Sequence, residues 1–212
     1  MKTTLDAIAA FRRLRDGNQR FAAGLRSIDT MATHTKRAEL TSGQTPFAII
    51  LGCSDSRVPA EIIFDQGLGD LFVIRVAGNV VAPSQIGSVE FAAAEFDIRL
   101  VVVLGHSQCG AVSASISALR HPDEEHSLNI RSIVDRIRPA IAGLMSTELR
   151  DQPAALLQQA VRANVRASVN QMRHGSVMLE DLTNHGGLLI VGAEYSLETG
   201  VVDFFDGIPE SG

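Results

Sequence analysis

Only two of the 212 residues are cysteines, Cys53 and Cys109. That is too few for a disulfide framework and suits a reducing compartment, where thiols are kept for chemistry or packing. Long apolar runs are missing too. Those at 47–51 and 100–104 are among the longest, and they fall far short of the roughly 20 residues that cross a bilayer. The chain is therefore expected not to span a membrane. Neither sign of charge forms a block of five or more, and 19 basic residues against 24 acidic ones leave a net charge of -5. Such a surface offers nucleic acid or anionic lipid no footprint. The first 25 residues are interrupted by Arg12, Arg13, Asp16 and Arg20, and lack the apolar segment and small-residue cleavage site of a secretory signal. A cytoplasmic location is expected. No internal repeat, low-complexity tract or Ser/Gly linker marks a boundary, so residues 1–212 read as a single domain.

What is present is alternation. Leu5, Ile8, Phe11, Leu14, Phe21 and Leu25 recur at mostly helical spacings with arginines between them. This predicts a helical arm within residues 1–42 whose apolar stripe packs on a partner subunit. Residues 31–44 are polar, and Pro46 then opens a run at 47–51 that is too short for a helix and apolar on both faces, as a buried parallel strand is. Runs of the same kind stand at 71–76, 100–104 and 188–193, with helix-like stretches at 59–65 and 84–96 and a candidate antiparallel edge strand at 201–205. Between 127 and 173 apolar residues repeat at threes and fours, with Pro139 and Pro153 expected to break or start turns. The pattern predicts an α/β fold: a mainly parallel central β-sheet flanked by helices, with an N-terminal helical arm and an antiparallel edge strand.

Each cysteine follows the carboxyl end of a predicted core strand, in Gly52-Cys53-Ser54-Asp55-Ser56-Arg57 and Gly105-His106-Ser107-Gln108-Cys109-Gly110. In open α/β sheets those ends form the ligand crevice, so Cys53, His106 and Cys109 can converge. Two thiolates and an imidazole suit Zn2+, and three protein ligands leave a fourth position open, as in catalytic sites. Plain burial of the two thiols and a redox pair are the competing readings; no Cys-x-x-Cys is present. Asp55 and Arg57, two apart, can form a bidentate pair that keeps the carboxylate ionised and fixed in direction. Beside a metal, such a carboxylate can orient a bound nucleophile or occupy the fourth position itself.

These segments, with Gly43-Gln44-Thr45-Pro46-Phe47 upstream and Gly192-Ala193-Glu194-Tyr195 downstream, resemble the β-class carbonic anhydrases, especially the bacterial branch. The resemblance extends from Gly17-Asn18-Gln19-Arg20-Phe21 to the last strand. It implies zinc held by Cys53, His106 and Cys109, an Asp55 and Arg57 dyad, and reversible hydration of carbon dioxide to bicarbonate by a zinc-bound hydroxide. It also implies that Gln44 donates to the substrate oxygen across a dimer interface and that backbone donors near Gly110 stabilise the developing oxyanion. Phe72, Ala77 and Phe91 fall where the family lines its carbon dioxide pocket. The expected assembly is a homodimer or homotetramer, with neither nucleic acid nor membrane as a partner.

Some members of the family hold bicarbonate at a second site built on tryptophan, arginine and tyrosine. This chain keeps Arg75 and Tyr195 but has Ile50 at the tryptophan position and no tryptophan anywhere, which favours a site where Asp55 stays off the metal. His34, His121, His126, His174 and His185 are candidate proton relays, and none is assigned. A nucleotide-binding reading finds only Gly67-Leu68-Gly69, half of a fingerprint, and no phosphate loop. Hydrolysis of carbonyl sulfide or carbon disulfide would use the same ligands, and a silent zinc scaffold would not need the Asp55 and Arg57 pair.

Overall fold

The structure is a computed structural model that describes residues 3, 5–27, 33–123 and 127–209. Five strands make one sheet: β1 (Ala48–Gly52), β2 (Leu71–Arg75), β3 (Leu100–His106), β4 (Leu189–Tyr195) and β5 (Val202–Asp206). Their order is β2-β1-β3-β4-β5, and every pairing is parallel except the antiparallel β4 and β5. The expected α/β architecture is the one adopted. The three central strands are buried along almost their whole length, which is why they read as unbroken apolar runs, whereas the outer β2 and β5 are mostly half-buried.

Eight helices surround the sheet among the described residues: α1 (Ala7–Ala22), α2 (His34–Glu39), α3 (Ala60–Ile63), α4 (Pro83–Phe96), α5 (Gly110–Arg120), α6 (Leu128–Ile141), α7 (Pro153–His174) and α8 (Val177–Asn184). Alternate strand residues point to opposite faces. Ile50, Val102 and Leu104 meet Phe11 and Leu14 of α1 and Phe64 after α3. Ile49, Leu51, Val101 and Val103 meet Val89 of α4, Val165 and Val169 of α7, and Leu179 of α8. A third cluster, built from α5, α6 and α7, includes Cys53 and Cys109 at the carboxyl ends of the strands. None of the described helices is long and apolar enough to cross a membrane.

The structure differs from the sequence reading at several points. Part of the stripe of α1 packs on its own chain: Phe11 meets Phe204 edge-on at 4.8 Å, and Asn18 donates to Ile63 O and Gly200 O while accepting from Val202 N, whereas Leu25 at its end stays 61 % exposed. A helical stripe shows that a surface must be covered, not which surface covers it. Pro139 lies inside α6, where only the last turn follows it, while Pro153 opens α7 at its first turn. Helix α2 buries nothing and so leaves no periodic signal. Helix α5 is diluted by small residues, and α8, capped by Ser176, is only eight residues long.

Helix α1 docks so closely that a Cβ at Gly17 would lie 1.9 Å from Phe64 O. Gly17→Ala must therefore push the arm off the sheet or distort it, at a cost of about 1–3 kcal/mol. A lowered urea midpoint at unchanged slope is the expected result; an unchanged midpoint would contradict the docking.

Candidate metal centre

β1 and β3 are parallel neighbours with Gly52 opposite Leu104. The residues that follow therefore leave the sheet side by side: Cys53 directly after β1, His106 at the end of β3, and Cys109 as the residue that caps α5. Their ligand atoms all lie within 4.8 Å of one another, and the three residues are 5 %, 0 % and 1 % exposed. Gln108 adopts a left-handed φ of 57°, the reversal that brings Cys109 back toward His106.

The chemistry of the three groups fits a divalent cation. His106 Nδ1 lies 2.8 Å from Ser107 O; a carbonyl only accepts, so Nδ1 carries the proton and Nε2 presents its lone pair. That Nε2 is buried and has no hydrogen-bond partner among the described residues, a state that costs about 1–3 kcal/mol unless something binds it. The two thiols compete for charge. Cys109 donates to Cys53 and holds it well below the ordinary thiol range, and Cys109 is pushed up by that same bond and by burial. Backbone N–H groups of Ala111 and Val112, in the first turn of α5, point at Cys109 and favour its thiolate. A cation placed among the three would replace the shared proton and satisfy Nε2 together.

Asp55 stands beside this cluster, its Oδ2 4.0 Å from His106 Nε2. Arg57 grips it bidentately: Nε donates to Oδ1 at 2.9 Å and Nη2 to Oδ2 at 2.8 Å, and the Arg57 backbone N–H adds a bond to Oδ1 at 3.0 Å. The guanidinium holds the Asp55 carboxyl well below the usual carboxylate range, against the opposing effect of burial. Arg75 fastens the loop itself, donating from Nε to Cys53 O at 3.0 Å and from Nη2 to Asp55 O at 2.6 Å. The backbone N–H of Gly78 donates to Cys53 Sγ at 3.3 Å, a contact that no motif in the sequence announces.

The other expected residues divide into two groups. Ala77 adjoins Gly78, and Gly110 opens α5 directly after Cys109, so both sit at the cluster. Gln44 is exposed and precedes β1, at the end of the strand away from Cys53. Phe72 pairs with Ile49, four residues before Cys53, which at about 3.3 Å per residue is ~13 Å along the sheet. Phe91 packs 6.3 Å from Phe72 between ring centroids and is 56 % exposed. One chain alone thus does not bring Gln44, Phe72 or Phe91 to its ligands. Ile50 is fully buried in β1. His34, His121, His174 and His185 are exposed, and His126 lies outside the described residues.

Known proteins share the sequence pattern and the fold. Residues 48–202 match the family model described as carbonic anhydrase. A carbonic anhydrase of Mycolicibacterium smegmatis is 40 % identical over 198 residues, covering 92 % of each chain. Carbonic anhydrase 2 of Mycobacterium tuberculosis is 38 % identical over 193 residues, covering 91 % of this chain and 90 % of that one. Among solved structures, the β-carbonic anhydrase CcaA superposes with a TM-score of 0.71 at 27 % identity, covering 94 % of this chain and 93 % of that one. One of two tetrameric β-carbonic anhydrases from Sordaria macrospora shares the fold, with a TM-score of 0.73 at 22 % identity, covering 92 % of this chain and 96 % of that one. The chain belongs to the β-class carbonic anhydrase family.

The depressed Asp55 makes a prediction with a definite sign. A carboxylate whose folded value is lowered keeps its pairing above the unfolded value of about 3.9 and loses it only as pH falls through the folded value. In Arg57→Leu the main cause of the lowering is gone, so Asp55 is expected to titrate at distinctly higher pH in carboxyl-resolved NMR of the metal-free protein. A titration that does not move would contradict the pairing.

Proposed function

We propose that the chain catalyses the reversible hydration of carbon dioxide to bicarbonate and a proton, with zinc held by Cys53, His106 and Cys109. The observation that carries this reading is the buried Cys2His cluster, with its unpartnered His106 Nε2, set beside a carboxylate that Arg57 holds fixed. A zinc ion bound there supplies Lewis acidity, lowering the pKa of water from 15.7 toward about 7 or 8 so that hydroxide is available near neutral pH. Two thiolates cancel the charge of a divalent ion, which helps the anionic product leave.

The remaining work falls to the chain's own groups. Asp55, ionised and locked by Arg57, accepts the hydrogen of the attacking oxygen and so turns a lone pair toward the substrate carbon. The backbone N–H of Gly110, ahead of the two that point at Cys109, faces the oxyanion that develops. Carbon dioxide is small, linear and uncharged, so apolar walls hold it better than they hold bicarbonate. Ala77 supplies such a wall from within the chain. Phe72, Phe91 and the amide of Gln44 lie far from their own ligands and serve the reaction from a second copy across a twofold interface. The outer position of β2 and the exposed ring of Phe91 suit that interface, and the Sordaria relatives are described as tetrameric. The three bonds from Arg57 to Asp55 favour a site that stays open, with Asp55 off the metal. Two free thiols in the ligand set suit a reducing cytoplasm.

Stopped-flow hydration with a pH indicator, combined with zinc per chain, tests this reading. Wild type is expected to hold about one zinc per chain and hydrate carbon dioxide rapidly, Cys109→Ser to lose metal and activity together, and Asp55→Asn to keep its metal while losing activity about 100-fold or more. A zinc-loaded wild type inactive at neutral and alkaline pH would overturn the substrate assignment and turn the search to carbonyl sulfide and carbon disulfide.

A further inference from the structure

Helix α7 buries Val161, Val165 and Val169 against the core, but two polar residues interrupt that apolar face. Asn164 and Ser168 are 2 % and 4 % exposed, one helical turn apart. The Asn164 side-chain amide donates to Gly78 O at 2.8 Å, and the Ser168 hydroxyl donates to Asn79 O at 3.1 Å. The turn they hold, Ala77–Asn79, is the one whose Gly78 N–H donates to Cys53 Sγ. Gly78 and Asn79 both have positive φ, 67° and 44°. Glycine suits position 78 because its φ of 67° strains a residue with a Cβ, which would also crowd Ile137 Cδ1 at 2.8 Å. The Gly78 N–H lies in the peptide plane of the Ala77 carbonyl, and the two planes that follow are held in place, one by Asn164 on Gly78 O together with the Asn79 N–H on Val76 O at 3.0 Å, the other by Ser168 on Asn79 O, so these bonds fix where the turn carries its N–H.

We propose that Asn164 and Ser168 are positioning residues for the Cys53 thiolate. By anchoring two successive carbonyls of the turn they keep the Gly78 N–H aimed at the sulfur, and so set how strongly that sulfur holds a metal. A hydrogen bond donated to a thiolate stabilises its charge, and partners behind the ligands commonly tune metal sites. A role confined to packing would satisfy the same carbonyls but would leave the sulfur's behaviour unchanged. The inference rests on the metal reading above.

The test uses cobalt(II) as the probe metal in the full chain, reading the thiolate-to-cobalt charge-transfer band and the rate of metal loss to a chelator. Asn164→Leu and Ser168→Ala are expected to shift the band and to release metal about tenfold faster than wild type. Val169→Ala, which opens a cavity on the same helix, is expected to lower the thermal midpoint with the band in place. Turn variants that lose thermal stability as Val169→Ala does, yet keep the wild-type band and release rate, would overturn the proposal. If Asn164→Leu does not fold, Ser168→Ala decides it on the same two readouts. A wild type that binds neither cobalt nor zinc would overturn the metal reading and this inference with it.

Discussion

The register between β1 and β3 is the constraint on which the site depends. With Gly52 opposite Leu104, the next residue of one strand and the last of the other leave the sheet together, and Cys53 and His106 become neighbours although 52 residues lie between them in the chain. A slip of one residue would send every side chain of β1 to the other face. The core prevents that slip: Ala48 and Ile50 are committed to the layer of α1 and α3, and Ile49 and Leu51 to the layer of α4, α7 and α8. Apolar packing on two faces thus fixes the position of three polar ligands at the sheet's end.

Around those ligands the charges are arranged in layers. Two sulfurs and one lone pair converge in a buried space, where each would be costly alone. Cations and dipoles surround them. Arg57 holds the carboxylate, Arg75 holds the backbone that carries it, and the first turn of α5 points its N–H groups at Cys109. The two arginines are not interchangeable, since one fixes a side chain and the other fixes the loop on which that side chain stands. The geometry of the cluster is therefore mostly settled by the chain's own groups.

Much of this was legible in the chain. The central strands announced themselves because burial on both faces demands unbroken apolar runs, and Cys53, His106, Cys109, Asp55 and Arg57 were legible because they lie within five residues of those strand ends. What stayed hidden depends on distance in the sequence. The surface under α1 could not be named from its stripe, because Phe204 and Gly200 come nearly 200 residues later. Gly78 reaches Cys53 through a backbone N–H, which has no residue-type signature. The clue that was available is Asn164 and Ser168, polar residues on the apolar stripe of a helix, where burial without a partner would be unfavourable. Helix α2 left no trace because it buries nothing.

The most direct test of the account is X-ray absorption at the zinc edge of the protein as purified. One zinc per chain is expected, with two sulfurs at about 2.3 Å, one imidazole nitrogen at about 2.0 Å and a light fourth ligand. A zinc surrounded only by nitrogen and oxygen, or a protein that carries no stoichiometric metal, would contradict it.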